Sequence, residues 1–434
     1  MSELQAERAA PRAGLAPARR GGPAAWLVAQ LREPYAGLVA SQLLTGGVAL
    51  AANVLMVRAL SPSGRGEVAL ILQVVYLATQ VLLLGTERSF VASYHDVTPA
   101  AAVRAYARLL VVPAGLALSA AAAFAALAPQ RWNPGPAVIA LIAAFALAEA
   151  TSLATRAVAI CVGRVRDFLY ARVIESLLLL ALLVTLFVAG DARPEVWILA
   201  YLLAGVAPTL AYLVRWLRLP APPAAPLARN GTVRREGLAL FPAALSNMAM
   251  LRADRLALPV LASTSALGLY ASVATMTELL AWPLRAYADS RLGRWRAADR
   301  EGALRTRPIV AAAAGYCLVV GPLAAGALYL LIVPVFGAQY APARAVVLPL
   351  VAAAGLYAVS RISLGLLIAR GYSALVSAAE ITGFAVSFAA YLLLIPPLGI
   401  RGAAYGSLIG YGACLLFAVV TSRVTRDRRP REAP

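Results

Sequence analysis

The amino-acid sequence predicts an all-α polytopic membrane protein with twelve transmembrane helices in two parallel six-helix lobes. Three observations carry that reading. Of the 434 residues, 61% are hydrophobic and only 14% charged, with a mean hydropathy of +0.76. Soluble domains carry about 25% charged residues, so the chain lacks the polar surface that a water-facing protein of this size needs. Apolar stretches long enough to cross roughly 30 Å of hydrocarbon recur along most of the chain. The formal charge of +19 comes from 39 basic residues, all of them Arg, and these are unevenly spread. A soluble enzyme, a nucleic-acid-binding domain and a disordered chain are all disfavoured.

Residues 1–33 hold Arg8, Arg12, Arg19, Arg20 and Arg32 among Ala, Pro and Gly. They lack the apolar core and cleavage site of a signal peptide and read as a disordered cytoplasmic tail. Spans are predicted at 36–58, 67–85, 105–128, 136–160, 168–189 and 195–217, within an N-terminal lobe at 34–219. The stretch PAPPAAPLARNGTVRRE at 220–236 is Pro-rich and then basic, and reads as a cytoplasmic linker. Spans at 238–261, 267–289, 309–333, 344–369, 374–396 and 402–422 form a C-terminal lobe at 237–422. Residues 423–434 are a basic cytoplasmic tail.

With the N-terminus placed in the cytoplasm, the arginines sort by side. Thirty lie in connections, helix ends or tails on the cytoplasmic side, and six (Arg58, Arg65, Arg131, Arg193, Arg344 and Arg401) lie opposite. Arg252, Arg255 and Arg361 remain inside spans. This is a positive-inside distribution, and it puts both termini in the cytoplasm. A single missed helix would scramble the alternation.

The two halves repeat. AANVLMVRALSPSGRGEV at 51–68 and ADRLALPVLASTSALGLY at 253–270 align at an offset of 202. Ala51 then meets Ala253, Ser61 meets Ser263, Ser63 meets Ser265 and Gly66 meets Gly268. Each half opens with a helix, a short Ser/Gly turn and a second helix. The offset carries an even number of spans, so the halves have one orientation. Parallel repeats place a substrate site between them near the midplane.

At Leu251–Tyr270, LRADRLALPVLASTSALGLY resembles the polysaccharide (oligosaccharide-lipid) flippase family. That family belongs to the multidrug/oligosaccharidyl-lipid/polysaccharide exporter superfamily. The resembling features are Asp254 in the seventh helix, an apolar run, and Gly268-Leu269-Tyr270 opening the eighth. LSPSGRG at 60–66, PVFGAQY at 334–340 and GIRGAA at 399–404 follow in family order, so the resemblance covers roughly residues 35–420. It implies two six-helix lobes around a central cavity that opens alternately to either side. It also implies a polyprenyl-diphosphate-linked oligosaccharide as cargo, moved to the outer leaflet of a bacterial plasma membrane for surface polysaccharide. Membrane lipids and other polysaccharide-assembly proteins are the implied partners, with no nucleic acid and a functional monomer. No cofactor is expected; a proton gradient, a sodium gradient and the membrane potential stay open as the coupled force.

An Arg or Asp at a helix centre costs about 2.5–3.5 kcal/mol on insertion scales, so each needs a partner, a wet cavity or a function. In the seventh span Asn247 and Asp254 share one face, and Arg252 and Arg255 another. Asp254 and Arg255 lie about 100° apart, so one helix can present both charges to a cavity. The structural alternative is that Asp254 neutralises an Arg on a neighbouring helix. The eighth span carries Glu278, Trp282, Arg285 and Asp289 on one stripe; Arg285 and Asp289 also suit an intrahelical pair. Glu278 has no basic residue within one turn of its own helix, which makes it, with Asp254, a candidate ion-coupling group.

In the first half, Gln42, Thr45 and Asn53 share a face of the first span, and Gln73, Tyr76 and Gln80 a face of the second. Such amides and hydroxyls suit either sugar hydroxyls in a wet cavity or helix–helix hydrogen bonds. Glu149 with Arg156, and Arg172 with Glu175, read as balanced structural charge. Arg361 and Glu380 suit a bridge between the tenth and eleventh spans. Any cavity Arg would suit a diphosphate, because guanidinium forks match phosphate oxygens.

Gly402, Gly406 and Gly410 form a small-residue packing face. Pro113, Pro208, Pro242, Pro259, Pro283, Pro322 and Pro349 fall inside spans and each removes a backbone hydrogen bond, predicting kinks. Cys161, Cys317 and Cys414 make no disulfide or metal pattern, and His95 is the only histidine. No metal, phosphate-loop or nucleophile motif appears, so no catalytic residue is assigned. A multidrug or peptidoglycan-precursor exporter of the same architecture is the nearest alternative function. A membrane glycosyltransferase or polymerase is a more distant one, since it needs catalytic groups in sizeable outer loops.

Overall fold

The computed structural model describes residues 34–94, 97–127, 134–219 and 230–427. His95, the expected tail 1–33, the first part of the expected linker and the last residues of the C-terminal tail lie outside them. The described residues divide into two units at Ala40–Ser41, the first represented by Pro34–Ala40 alone. Helices and no strands make up the regular structure of the described residues.

The first half consists of α1 (Pro34–Ala59), α2 (Pro62–Leu83), the short α3 (Thr86–Ser93), α4 (Pro99–Leu127), α5 (Pro136–Cys161), α6 (Val165–Val188) and α7 (Pro194–Leu217). The second consists of α8 (Asn230–Leu261), α9 (Thr264–Glu278), α10 (Trp282–Arg300), α11 (Thr306–Leu331), α12 (Val347–Ala369), α13 (Ser373–Leu398) and α14 (Ile400–Asp427). Apart from α3, and with α9 and α10 counted as one span, these match the twelve expected spans. The helices start where the chain chemistry allows. Proline opens α2, α4, α5 and α7, where its missing N–H is no loss. The Ser61 and Ser263 hydroxyls cap α2 and α9 by accepting from the N–H of Gly64 and Ala266.

Among the described residues, nine helical stretches are long and apolar enough to cross a membrane. Neither α8 nor α9–α10 is among them, and of α1 only Leu44–Ala59 is picked out, as a shorter apolar helix. α8 carries Asn247, Arg252, Asp254 and Arg255, and α9 is only 15 residues long and ends on Glu278.

Three elements differ from the sequence reading. The eighth span is interrupted: Leu279–Ala281 form a 3₁₀ turn between α9 and α10, ending just before Pro283. The tenth span is preceded by a 3₁₀ stretch at Ala338–Val346, so Pro349 falls in the first turn of α12. Pro113, Pro208, Pro242, Pro259 and Pro322 stay inside helices. Finally, α8 begins at Asn230, inside the stretch read as linker, and α14 runs into the expected tail.

One hydrophobic core is built from the first half together with Val233. Three others belong to the second half, and Val57 and Ala69 of the first half join one of these where the halves meet. Within the second half, Gly402, Gly406 and Gly410 bring α14 against α13. A Cβ at these positions would overlap the Leu394 carbonyl, the Tyr391 ring and the Ser387 hydroxyl.

The halves touch at both ends of the bundle. At the arginine-poor end, a Cβ on Gly66 would overlap the Thr264 carbonyl and one on Gly268 the Pro62 carbonyl. Arg58 donates to the Pro334 carbonyl (2.7 Å), and the Tyr340 hydroxyl to that of Leu60 (3.3 Å). At the arginine-rich end the first turns of α8 rest on the first half. Ser89 donates to the Val233 carbonyl (2.9 Å), Asn230 to that of Ala105 (3.1 Å) and Arg234 to that of Arg108 (3.2 Å).

Candidate functional site

Between these two contacts lies a cavity of about 290 Å³ lined by both halves. The first half contributes Thr45 and Asn53 from α1, Arg65, Gln73 and Tyr76 from α2, Glu149 from α5, Arg172 and Glu175 from α6, and Tyr201 from α7. The second contributes Arg252 and Arg255 from α8, Thr275 and Glu278 from α9, and Trp282 from α10. A smaller cavity of about 50 Å³, within the second half, is lined by Asp254, Arg285, Tyr357, Ser407 and Tyr411. Arg252, Arg255, Glu278 and Trp282 line both.

One wall of the large cavity carries more guanidinium donors than the protein fills. Arg65 is 3% exposed. Its Nη2 donates to Asn53 Oδ1 at 2.9 Å, while Nε and Nη1 are buried with no acceptor among the described residues. Asn53 in turn donates to the Ser272 carbonyl at 2.9 Å, joining α1 to α9 across the halves. Arg252 reaches Glu278 Oε1 at 3.3 Å and lies over the Tyr76 ring, 5.3 Å from its centre. Arg255 is paired with the same Glu278 oxygen. The Nε atoms of both α8 arginines lack acceptors. A buried guanidinium without an acid costs several kcal/mol, which makes Arg65 the cavity arginine that the described residues satisfy least.

The α5 and α6 part of the lining carries charges of both signs. Arg172 grips both Glu175 oxygens (2.7 and 2.9 Å). Arg156 does not balance Glu149; it lies 6.0 Å from the centre of the Phe168 ring. Glu149 lines the cavity near Arg172 but forms no ion pair among the described residues.

The remaining sequence candidates divide. Asp254 is buried inside the second half. Its Oδ1 accepts the Arg255 N–H (2.7 Å), and its Oδ2 takes the Tyr270 hydroxyl (2.6 Å), with Ser407 at 3.4 Å. The basic partners that Glu278 lacks on its own helix come from α8. Asn247 and Arg361 both donate to Glu380 Oε1, at 3.1 and 2.8 Å, in a group that does not line the large cavity. Gln80 is also absent from that lining, because it lies two turns beyond Gln73, roughly 10 Å further along α2. The side chains of Gln42 and Asp289 lie outside the described residues.

Arg65, Glu149 and Arg172 were not sequence candidates for the cavity. The signal for Arg65 was present: Arg65, Ala69, Leu72 and Tyr76 follow an i, i+4, i+7, i+11 stripe, and all four line the cavity. Among the described residues no group of three His, Cys, Asp or Glu converges to hold a metal ion.

No protein-family model and no curated protein sequence matches the chain. Solved structures do. An inward-facing multidrug resistance MATE family transporter of the MOP superfamily superposes with a TM-score of 0.65 at 16% identity, over 90% of this chain and 96% of that one. Lipid II flippase MurJ, in an inward closed conformation, gives 0.64 at 9% identity over 89% and 87%. An outward-facing MATE family transporter gives 0.54 at 15% identity over 94% and 99%. The chain shares the fold of these transporters, with twelve helices in two lobes.

Proposed function

We propose that this protein is a membrane flippase. It moves a lipid with a phosphate-linked glycan headgroup from the cytoplasmic to the outer leaflet by alternating access. The observation that carries the reading is Arg65, a buried guanidinium with two unfilled nitrogens on the wall of a cavity between the lobes. A phosphate or diphosphate supplies the missing acceptors in the geometry a guanidinium prefers. Glu149, Gln73 and Tyr201 in the same lining suit sugar hydroxyls, and the Trp282 and Tyr76 rings suit sugar faces. The lipid tail stays in the bilayer while the headgroup crosses through the cavity.

The closed arginine-poor end fits an inward-facing or occluded stage of such a cycle. So does the better superposition on the inward-facing than on the outward-facing MATE structure. The test is deletion of the gene followed by leaflet-resolved labelling of lipid-linked glycan, with the purified chain in vesicles as the direct assay. Glycan should accumulate in the inner leaflet of deleted cells. Normal outward appearance, with no second transporter present, would overturn the reading. Drug efflux lost with glycan export intact would favour the multidrug alternative. Imposing a proton gradient, a sodium gradient or a potential on the vesicles separately identifies the coupled force.

A further inference from the structure

We propose that Glu278 is a built-in counter-ion which the headgroup phosphate displaces, and that this exchange releases the interruption in the eighth span. The inference rests on the cavity being the headgroup site. Both α8 arginines turn to one oxygen, Glu278 Oε1, while the neighbouring Asp254 is held by the Arg255 N–H, Tyr270 and Ser407. The partners are unequal in access: the Glu278 side chain is 33% exposed, whereas those of Arg252 and Arg255 are 19% and 5% exposed. The carboxylate is thus the partner that an incoming ligand can replace, and the arginines are the fixed ones.

A phosphate competes well for this place. It carries up to two charges and offers three or more oxygens, enough to take both guanidinium groups from the single carboxylate oxygen that holds them. The donors of Arg65 line the same cavity.

Position gives the exchange a consequence. Glu278 is the last residue of α9, and the 3₁₀ turn Leu279–Ala281 follows it directly. Trp282 and Pro283 then open α10, and Pro283 has no N–H to rejoin the helix. A 3₁₀ stretch within a span often marks a hinge. The two ion pairs tie α8 to the residue immediately before it. When phosphate takes the arginines, that tie is lost and the wet cavity receives the carboxylate. Cavity occupancy is thereby communicated to the angle between α9 and α10.

The experiment uses the full chain in lipid nanodiscs without Cys161, Cys317 and Cys414, inorganic pyrophosphate as the probe, and spin labels at Ser265→Cys on α9 and Tyr287→Cys on α10, both exposed positions. Pyrophosphate should bind and change the label distance. Glu278→Gln should bind it about tenfold more tightly, since one charge-assisted competitor is gone, and should show the changed distance without ligand. Equal or weaker binding by Glu278→Gln, or no pyrophosphate binding by the wild type, overturns the proposal. So does a label distance indifferent to bound pyrophosphate. If Glu278→Gln does not fold, the wild-type distance change decides, with Glu278→Asp expected to bind more tightly than wild type. Binding that ignores Glu278 sinks the displacement and leaves the headgroup reading standing. Failure of vesicle transport sinks that reading separately.

Discussion

Gly66 and Gly268 are exchanged by the 202-residue repeat, and each closes on the first residue of the other's helix. Gly66 lies against the carbonyl of Thr264 and Gly268 against that of Pro62, and Pro62 and Thr264 are themselves repeat mates. The serine caps of the two helices obey the same offset: Ser61 takes the N–H of Gly64, and Ser263 that of Ala266. The arginine-poor contact is therefore self-complementary, like a two-fold dimer interface formed within one chain. It requires glycine on both sides, because any Cβ would meet backbone that cannot rotate away.

Such a contact predicts what happens when it cannot close. Gly66→Ala and Gly268→Ala should each hold the arginine-poor end apart. Overpacking of this kind costs about 1–3 kcal/mol, enough to cut transport roughly tenfold. A cysteine placed at Thr275, in a background without Cys161, Cys317 and Cys414, should become reactive to an impermeant reagent from outside. Unchanged transport and unchanged labelling in the double alanine variant would refute the seal.

Arg65 should behave as a ligand-binding residue rather than a structural one. Its replacement by Ala removes charge-assisted hydrogen bonds worth about 1.5–3 kcal/mol each. Pyrophosphate affinity should fall roughly tenfold or more while the protein stays folded. Arg65→Lys keeps the charge but loses the fork, so it should recover only part of the affinity. Asn53→Ala removes the one acceptor that Arg65 has among the described residues, and should impair closure of the arginine-poor end as well, through the lost bond to the Ser272 carbonyl. An Arg65→Ala protein that binds pyrophosphate like wild type would exclude Arg65 from the site.

The spans were legible because long apolar runs and the placement of arginines depend on the bilayer more than on tertiary contacts. What escaped depends on chain neighbours or on helix starts. Arg65 read as an outer-loop topology marker because the apolar run begins near residue 67. The helix itself begins at Pro62, through the polar turn SPSGRG, which turns Arg65 inward. Glu278 looked unpartnered because its arginines sit on the preceding helix, 23 and 26 positions earlier. The break after it was invisible to a stripe that assumes continuous helix. The Arg361–Glu380 bridge was legible from spacing alone, but the addition of Asn247 to it was not.

Asp254 offers a direct contrast with Glu278. Its oxygens are occupied by the Arg255 N–H, Tyr270 and Ser407, and Tyr391 supports Ser407 at 2.9 Å. Removing the Tyr270 hydroxyl leaves a buried carboxylate short of a donor, which costs about 1–3 kcal/mol. Tyr270→Phe should therefore lower thermal stability in detergent while pyrophosphate affinity stays within about twofold. A selective loss of ion-driven transport, without a stability change, would instead support Asp254 as a coupling group.

Arg361, Glu380 and Asn247 make the corresponding structural claim for the rest of the second half. The side chains of Arg361 and Glu380 are 16% and 9% exposed, and Arg361 also lies over the Tyr357 ring. Breaking a buried pair from one side leaves an uncompensated charge and costs about 3–5 kcal/mol, whereas replacing both partners by apolar residues is often neutral. Glu380→Leu alone should destabilise strongly, since it orphans Arg361 and frees Asn247 as well. The double change Arg361→Met with Glu380→Leu should recover most of that loss, and a double-mutant cycle in detergent unfolding reads the difference. Transport per folded molecule should be unchanged in the double variant, because neither side chain lines the large cavity. Lost transport with recovered stability would place Arg361 on the substrate path.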